Sequence, residues 1–171
     1  MQNKLHLIIQ IPCYNEADTL AQVISSLPTQ LPGIDRIETL VIDDGSQDDT
    51  SLVAKQSGVN YIVRHPRNRG LAAAFQSGLD ACLQAGADII INMDGDGQHP
   101  GSHIELLLSP LLQHRADMVI GYRPNESFQH FTFSKKFLEQ FGSWVVRRAS
   151  GTDVPDAVSG FRAFSRDCAL R

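Results

Sequence analysis

Asp88-Ile89-Ile90-Ile91-Asn92-Met93-Asp94-Gly95-Asp96 is the stretch that decides the fold. Three consecutive β-branched residues suit a strand buried on both faces, as in a parallel sheet covered by helices. The run ends in two carboxylates separated by one glycine. Working outward, the chain alternates. Leu5–Ile11, Ile37–Ile42 and Tyr61–Val63 read as earlier strands, and Met118–Ile120 as a fifth. Asn15 predicts the cap of a helix through Leu20, Val23, Ile24 and Leu27, stopped by Pro28. Ser46 and Asp49, spaced like a capping box with a shorter acid, open a helix through Leu52 and Val53. Gly70–Ala85 reads as a long Ala-rich helix ending at Gly86. Pro100 starts another, with Ile104, Leu107, Leu108 and Leu111 at helical spacing. Val158–Phe164 reads as a last strand, with a helix from Ser165. Strands separated by helices predict an open, mostly parallel α/β sheet with right-handed crossovers.

Composition agrees and excludes other classes. The chain has 171 residues, 42% apolar and 20% charged, which excludes a disordered chain. Its net charge of −4 argues against a nucleic-acid-binding surface, which needs a basic excess. The acids are mostly Asp, the short carboxylate of turns, caps and metal sites. Cys13, Cys82 and Cys168 are far apart and odd in number, which predicts free thiols and a reducing, cytoplasmic setting. Met1–Cys13 lacks the features of a signal peptide, and no apolar run is long enough to span a membrane.

In open α/β sheets ligands bind beyond the carboxyl ends of the strands. Those tips here are Pro12-Cys13-Tyr14-Asn15-Glu16, Asp43-Asp44-Gly45-Ser46, Arg64 to Gly70, Asp94 to His99, and Gly121-Tyr122-Arg123. Asp94 and Asp96, with Gln98 at the next alternate position, are an oxygen donor set for Mg²⁺ or Mn²⁺, which take one or two carboxylates plus substrate phosphates. An EF-hand loop starting at Asp94 fails because its sixth position is His99 rather than Gly and a strand precedes it. A haloacid-type phosphatase would carry its Asp-x-Asp near the start of the domain, not after three strand–helix units. Asp43 and Asp44 end a strand where an acid can accept from ribose hydroxyls or a base N–H; two adjacent acids repel, which favours a ligand for at least one. Arg67, Arg69 and Arg123 suit diphosphate oxygens.

Ile11 to Glu16, Val41 to Ser46 with Asp48 and Thr50, Asn68-Arg69-Gly70, Met93 to Pro100 and Ser159-Gly160-Phe161-Arg162 together resemble the motif series of GT-A-fold family 2 glycosyltransferases. The nearest subgroup is similar to polyprenyl (dolichyl) phosphate mannosyl- or glucosyltransferases. The resemblance implies a single GT-A catalytic domain over residues 1–171, C-terminally incomplete, that moves a hexose with inversion from a GDP-mannose- or UDP-glucose-type donor to a polyprenyl phosphate. It implies donor-nucleotide contacts from Pro12, Tyr14, Asn15, Glu16, Asp43, Asp44, Asn68, Gly70 and Asp94, and a metal on Asp94, Asp96 and Gln98. Asp156, Ser159, Gly160 and Arg162 would lie on the acceptor side, and Asp94, Asp96, Arg123 and Arg162 would be catalytic.

The chemistry is consistent. A nucleoside diphosphate leaves, so a cation that neutralises its growing charge matters most. An anionic phosphate acceptor needs little general-base help, whereas a sugar hydroxyl would need a base. The family's Glu-Asp pair for that purpose does not occur here. The family loop Asn-x-Gly-Lys-Gly reads Asn68-Arg69-Gly70-Leu71-Ala72, without the Lys and second Gly. Phe137, Phe141 and Trp144 share a helical face with Lys135, Lys136, Arg147 and Arg148 nearby; a helix packed on the sheet and one at the cytoplasmic membrane face both fit. A nucleotide-sugar-binding domain without catalysis is the alternative from another class. A nucleotidyltransferase fits less well, because the first strand is followed by no glycine.

Overall fold

The structure is a computed structural model that describes residues 4–95, 101–121 and 160–171. The chain divides into two compact units, Met1–Val119 with Phe161–Arg171, and Ile120–Gly160. The described residues of the second unit are Ile120, Gly121 and Gly160. The first unit carries the sheet and its helices.

The described elements, in chain order, are β1 (His6–Cys13), α1 (Ala17–Ser25), β2 (Arg36–Asp43), α2 (Thr50–Gln56), β3 (Tyr61–Arg64), α3 (Leu71–Gln84), β4 (Ile89–Asn92), a 3₁₀ turn (Gly101–His103), α4 (Ile104–Leu112), β5 (Met118–Ile120), β6 (Arg162–Ser165) and α5 (Arg166–Ala169). The strands form one sheet in the order β3-β2-β1-β4-β6-β5. β1 pairs in parallel with β2 and β4, and β2 with β3. β6 runs antiparallel to β4, with Arg162 opposite Asn92 and Ser165 opposite Ile89.

Both faces of the central strands are covered. Leu7, Ile9, Ile11, Ile89 and Ile91 pack with Leu20 and Val23 of α1, Ala54 of α2 and Ile104, Leu107 and Leu108 of α4. The alternate residues Ile8, Leu40, Ile42 and Ile90 pack with Ala74, Leu79 and Cys82 of α3. Ile8, Ile9, Ile90 and Ile91 are all fully buried, as their unbroken apolar run requires. Each such side chain contributes about 1.5–3 kcal/mol through burial.

One polar pair crosses the middle of this core. Gln10 is fully buried in β1, and its amide N–H donates to Asn92 Oδ1 of β4 at 2.9 Å. The Cys82 thiol of α3 lies 3.8 Å from Gln10 Oε1. Gly78 lets α3 approach, since a Cβ there would lie 2.4 Å from Gln10 Oε1. The pair therefore occupies hydrogen-bonding groups that would be costly to bury alone.

The local expectations differ from the structure at two helix starts. Asn15 does not cap α1. It adopts φ 57°, its Oδ1 accepts the Gln47 N–H at 2.8 Å, and its own N–H donates to Ser46 Oγ at 3.0 Å. The left-handed turn sends the side chain across to the loop after β2, and Glu16 takes the cap position. Ser46 and Asp49 likewise form no capping box at α2. Asp48 serves instead, with Oδ1 accepting the Thr50 N–H at 3.0 Å and Oδ2 the Ala17 N–H at 3.1 Å. One carboxylate thus ties the starts of α1 and α2 together.

Candidate active site

The parallel strands β1, β2 and β4 end at one edge of the sheet, where a cleft of about 320 Å³ opens. Its lining includes Pro12, Tyr14 and Glu16 from the β1 tip, Asp44 from β2, Asn68 and Gly70 from the loop before α3, and Asp94 and Gly95 from β4. Residues dispersed over the chain from position 12 to 95 meet there because the parallel register brings their strand ends level. Three carboxylates, Glu16, Asp44 and Asp94, line this space, and no Lys or Arg does among the described residues.

Asp44 is buried and held by three donors. Oδ1 accepts from His65 Nδ1 at 2.6 Å and from the Arg69 N–H at 2.9 Å; Oδ2 accepts from the Gly70 N–H at 2.8 Å. Burial pushes its proton affinity up, but the His65 bond and the two backbone N–H groups outweigh it and hold the carboxyl below the usual carboxylate range. The group is a fixed, ionised acceptor at the cleft wall.

Asp43 is not brought to the cleft. It is fully buried, with Oδ1 accepting the Ser46 N–H at 2.8 Å, Oδ2 accepting from Ser51 Oγ, and Arg64 Nε 3.4 Å from Oδ2. Asp43 is the last residue of β2 and points away from the side that Asp44, the next residue, presents to the cleft. The repulsion expected between them is offset by these separate sets of donors. Asn15 is likewise absent from the cleft lining, its side chain being engaged with Gln47.

The loop after β4 is anchored from α1. Thr19 Oγ lies 3.0 Å from both Glu16 Oε2 and the Gly95 carbonyl. A Cβ on Gly95 would lie 3.0 Å from Cys13 Sγ, so the loop packs directly on the β1 tip. Burial pushes the Cys13 thiol far up, and the charges of Glu16, Asp43, Asp48 and Asp94 add to this, so it stays protonated. Arg67 and Arg69 are exposed and do not line the cleft; Arg69 reaches it through its backbone N–H.

Arg162 and Gly160 are half-buried. The antiparallel register sets Arg162 beside Asn92, two residues before Asp94, and so at the same sheet edge. Asp96, Gln98, Arg123, Asp156, Ser159 and the aromatic segment with Phe137, Phe141 and Trp144 lie outside the described residues. Among the described residues no three His, Cys, Asp or Glu side chains form a ready metal cage, and no helix is long and apolar enough to cross a membrane.

Sequence reasoning assigned no role to His65, Thr19 or Asp48. His65 stands within the polar tip after β3 and Asp48 within the motif after β2, but Asp44, Ser77 and Ala17, which they hold, lie on other elements.

Comparison with known proteins is consistent with this geometry. The Glycosyl transferase family 2 pattern matches residues 8–169. The UDP-N-acetylglucosamine–dolichyl-phosphate N-acetylglucosaminyltransferase of Methanococcus voltae is 31% identical over 185 residues, covering 97% of this chain and 71% of its own length. The undecaprenyl-phosphate mannosyltransferase of Micrococcus luteus is 30% identical, over 95% of this chain and 68% of its own. Glucosyl-3-phosphoglycerate synthase of Mycobacterium tuberculosis, solved with Mn²⁺, UDP and glucosyl-3-phosphoglycerate, superposes with a TM-score of 0.70 at 25% identity. That match covers 96% of this chain but 58% of the other. The chain belongs to glycosyl transferase family 2: it is a glycosyltransferase domain on the GT-A fold.

Proposed function

We propose that this domain binds a nucleotide-diphospho-hexose with a divalent cation and transfers the hexose, with inversion, to a polyprenyl phosphate at the cytoplasmic face of a membrane. A phosphate oxygen of the acceptor attacks the anomeric carbon as the bond to the donor's diphosphate oxygen breaks, and the nucleoside diphosphate departs with the electron pair.

The observation that carries the reading is that Asp44 and Asp94 line one cleft together with Glu16. A divalent cation would offset the repulsion between these carboxylates and a diphosphate brought beside them. Asp94 offers hard oxygen donors, and Asp96 and Gln98 would complete the set, which suits Mg²⁺ or Mn²⁺ with the remaining ligands drawn from the diphosphate. When bound, such an ion neutralises charge on the leaving diphosphate. Gly70 and Asn68 border the nucleoside side, and Arg162 is suited to an anionic acceptor. The polyprenyl phosphate is supported by the names of the two relatives above, a dolichyl-phosphate and an undecaprenyl-phosphate transferase.

Calorimetry of UDP and GDP, each with and without Mn²⁺, tests the donor half. Mn²⁺-dependent binding that Asp94→Asn weakens at least tenfold is expected; binding indifferent to both would refute it. Hexose transfer to a short-chain polyprenyl phosphate tests the acceptor half. Donor binding without turnover toward any lipid phosphate would leave a binding domain.

A further inference from the structure

β6 carries Arg162 at its start and has only four residues, so its register decides where Arg162 stands. The sheet sets part of that register. Ala163 is fully buried with Ile91 on the face covered by α1 and α4. Phe164 is buried on the face covered by α3, where its ring meets Phe75 edge-on at 5.9 Å. A slip of one residue along β4 would turn both to the wrong faces. A slip of two would keep every side chain on its own face and carry Arg162 about 7 Å along the sheet, since a strand advances about 3.4 Å per residue. Alternation alone leaves that choice open.

Arg166, the residue that follows β6, makes the choice. Its N–H donates to the Asp88 carbonyl at 2.8 Å, and the Ser165 N–H before it donates to the Asp117 carbonyl at 2.9 Å. Its guanidinium Nη1 donates to the Ala87 carbonyl at 2.9 Å and to the Leu83 carbonyl, in the last turn of α3, at 3.4 Å. A cation is favoured beside the carbonyls of a helix C-terminus. A two-residue slip would carry Arg166 about 7 Å from these partners, well beyond hydrogen-bond distance. The other end of α3, with its cap Gly70, walls the donor cleft through Gly70, Leu71 and Ala74. Arg166 therefore gauges the strand that bears Arg162 against the helix that bounds the donor.

Resting on the reading of Arg162 as the contact for an anionic acceptor, we infer that Arg166 is a positioning residue for the transfer reaction: by tying the end of β6 to the C-terminus of α3, it fixes the register that presents Arg162 at the cleft edge. Arg166 lies a strand's length from Arg162 and acts through it. Without the tie, a fraction of molecules would hold β6 out of register, and the apparent affinity for the acceptor would fall in proportion to the competent fraction. Saturating acceptor would select the competent register, so the maximal rate would survive.

Arg166→Met removes the side-chain donors and keeps an unbranched chain; Arg166→Lys keeps one nitrogen that can donate to both carbonyls. With Mn²⁺ and UDP-glucose or GDP-mannose as donor, Arg166→Met should raise KM for a short-chain polyprenyl phosphate on the order of tenfold and leave kcat nearly unchanged. Calorimetric affinity for UDP and GDP should stay within about twofold, because their cleft lies at the far end of α3. Arg166→Lys should restore KM. A merely structural role would lower kcat and donor affinity together and would not give this split. Hydrogen exchange read by mass spectrometry should show the amides of Arg162–Ser165 exchanging faster in Arg166→Met and protected again in Arg166→Lys, with β1 and β2 unchanged. An unchanged KM in folded Arg166→Met, or β6 amides as protected as in the wild type, would overturn the inference. Absence of lipid-phosphate transfer by the wild type would overturn the acceptor reading instead, and the exchange result would then decide by itself whether Arg166 holds the register. Should Arg166→Met not fold, Arg166→Gln, which keeps an amide donor on a shorter chain, carries the same comparison.

Discussion

Replacing Gly45 by Ala tests whether the nucleotide side of the cleft depends on one close backbone approach. Gly45 follows Asp44 with φ +72°, and a Cβ there would lie 2.3 Å from the Arg67 carbonyl carbon and 2.6 Å from the Asn68 nitrogen. These are main-chain atoms, so no side chain can swing aside. Two costs combine. The left-handed conformation costs an L-residue about 1–2 kcal/mol. Forcing apart packed atoms costs about 1–3 kcal/mol more. Gly58 is the internal control: its φ is +75° and nothing lies within 4 Å of its would-be Cβ. At about 2–4 °C per kcal/mol for a chain of this size, Gly58→Ala should lower Tm by about 2–8 °C and Gly45→Ala by about 4–20 °C. The excess is the close approach alone, since the backbone conformation is shared. Arg67 and Asn68 lead directly into the two N–H groups that hold Asp44, so Gly45→Ala should also weaken nucleoside diphosphate binding while Gly58→Ala leaves it intact. Differential scanning calorimetry and titration calorimetry measure the two effects. Equal Tm and equal affinity in both variants would refute the reasoning.

Acid should weaken the fold through the same carboxylates. At Asp43, burial is outweighed by the Ser46 and Ser51 bonds and Arg64, and at Asp44 by His65 and the backbone N–H groups, so both lie below their ordinary value of 3.8. Their contribution is fully present above that unfolded-state value and is lost as pH falls below it, through the depressed folded values. Urea midpoints at pH 6 and pH 3 should therefore differ, and the difference should shrink in Asp43→Asn; an unchanged difference would count against the assignment. Thr19→Val keeps the shape of the side chain but removes the hydroxyl beside Glu16 and the Gly95 carbonyl. It should cost about 1 kcal/mol in stability and raise the Mn²⁺ concentration needed for nucleotide binding several-fold, and an unshifted Mn²⁺ titration would show that this tie does not position the loop. A thiol reagent should modify one cysteine quickly in the native protein, the half-buried Cys168, and all three after denaturation. Cys13 and Cys82 are buried, and burial pushes the Cys82 thiol up to about 12. Fast native labelling of Cys13 would contradict the packing at the β1 tip.

Much of the architecture was legible in the chain. The triple isoleucine of β4, the apolar β1 and the Ala-rich α3 each carry their own periodicity, and that signal is local. The strand tips were legible for the same reason, as polar runs that follow apolar ones. The place of β6 was not. It reads as a final strand, but its insertion beside β4 in antiparallel sense depends on contacts between residues more than 70 positions apart, such as Ile91 with Ala163. Asn15 and Ser46 illustrate the opposite failure. Both are good capping residues by type, and each is diverted by a partner on a different loop.

By itself the sequence determined which segments become strands and helices, and that acids would gather at the sheet's carboxyl edge, because hydrophobic period and turn chemistry act between near neighbours. Only the tertiary structure decided which acid does what. Asp43 and Asp44 are chemically identical and adjacent, yet one turns inward to Ser46, Ser51 and Arg64 while the other is held at the cleft by His65, Arg69 and Gly70. The side of a sheet that a residue faces is set by strand register. A carboxylate's remaining acceptor capacity is set by donors that reach it from elsewhere in the chain.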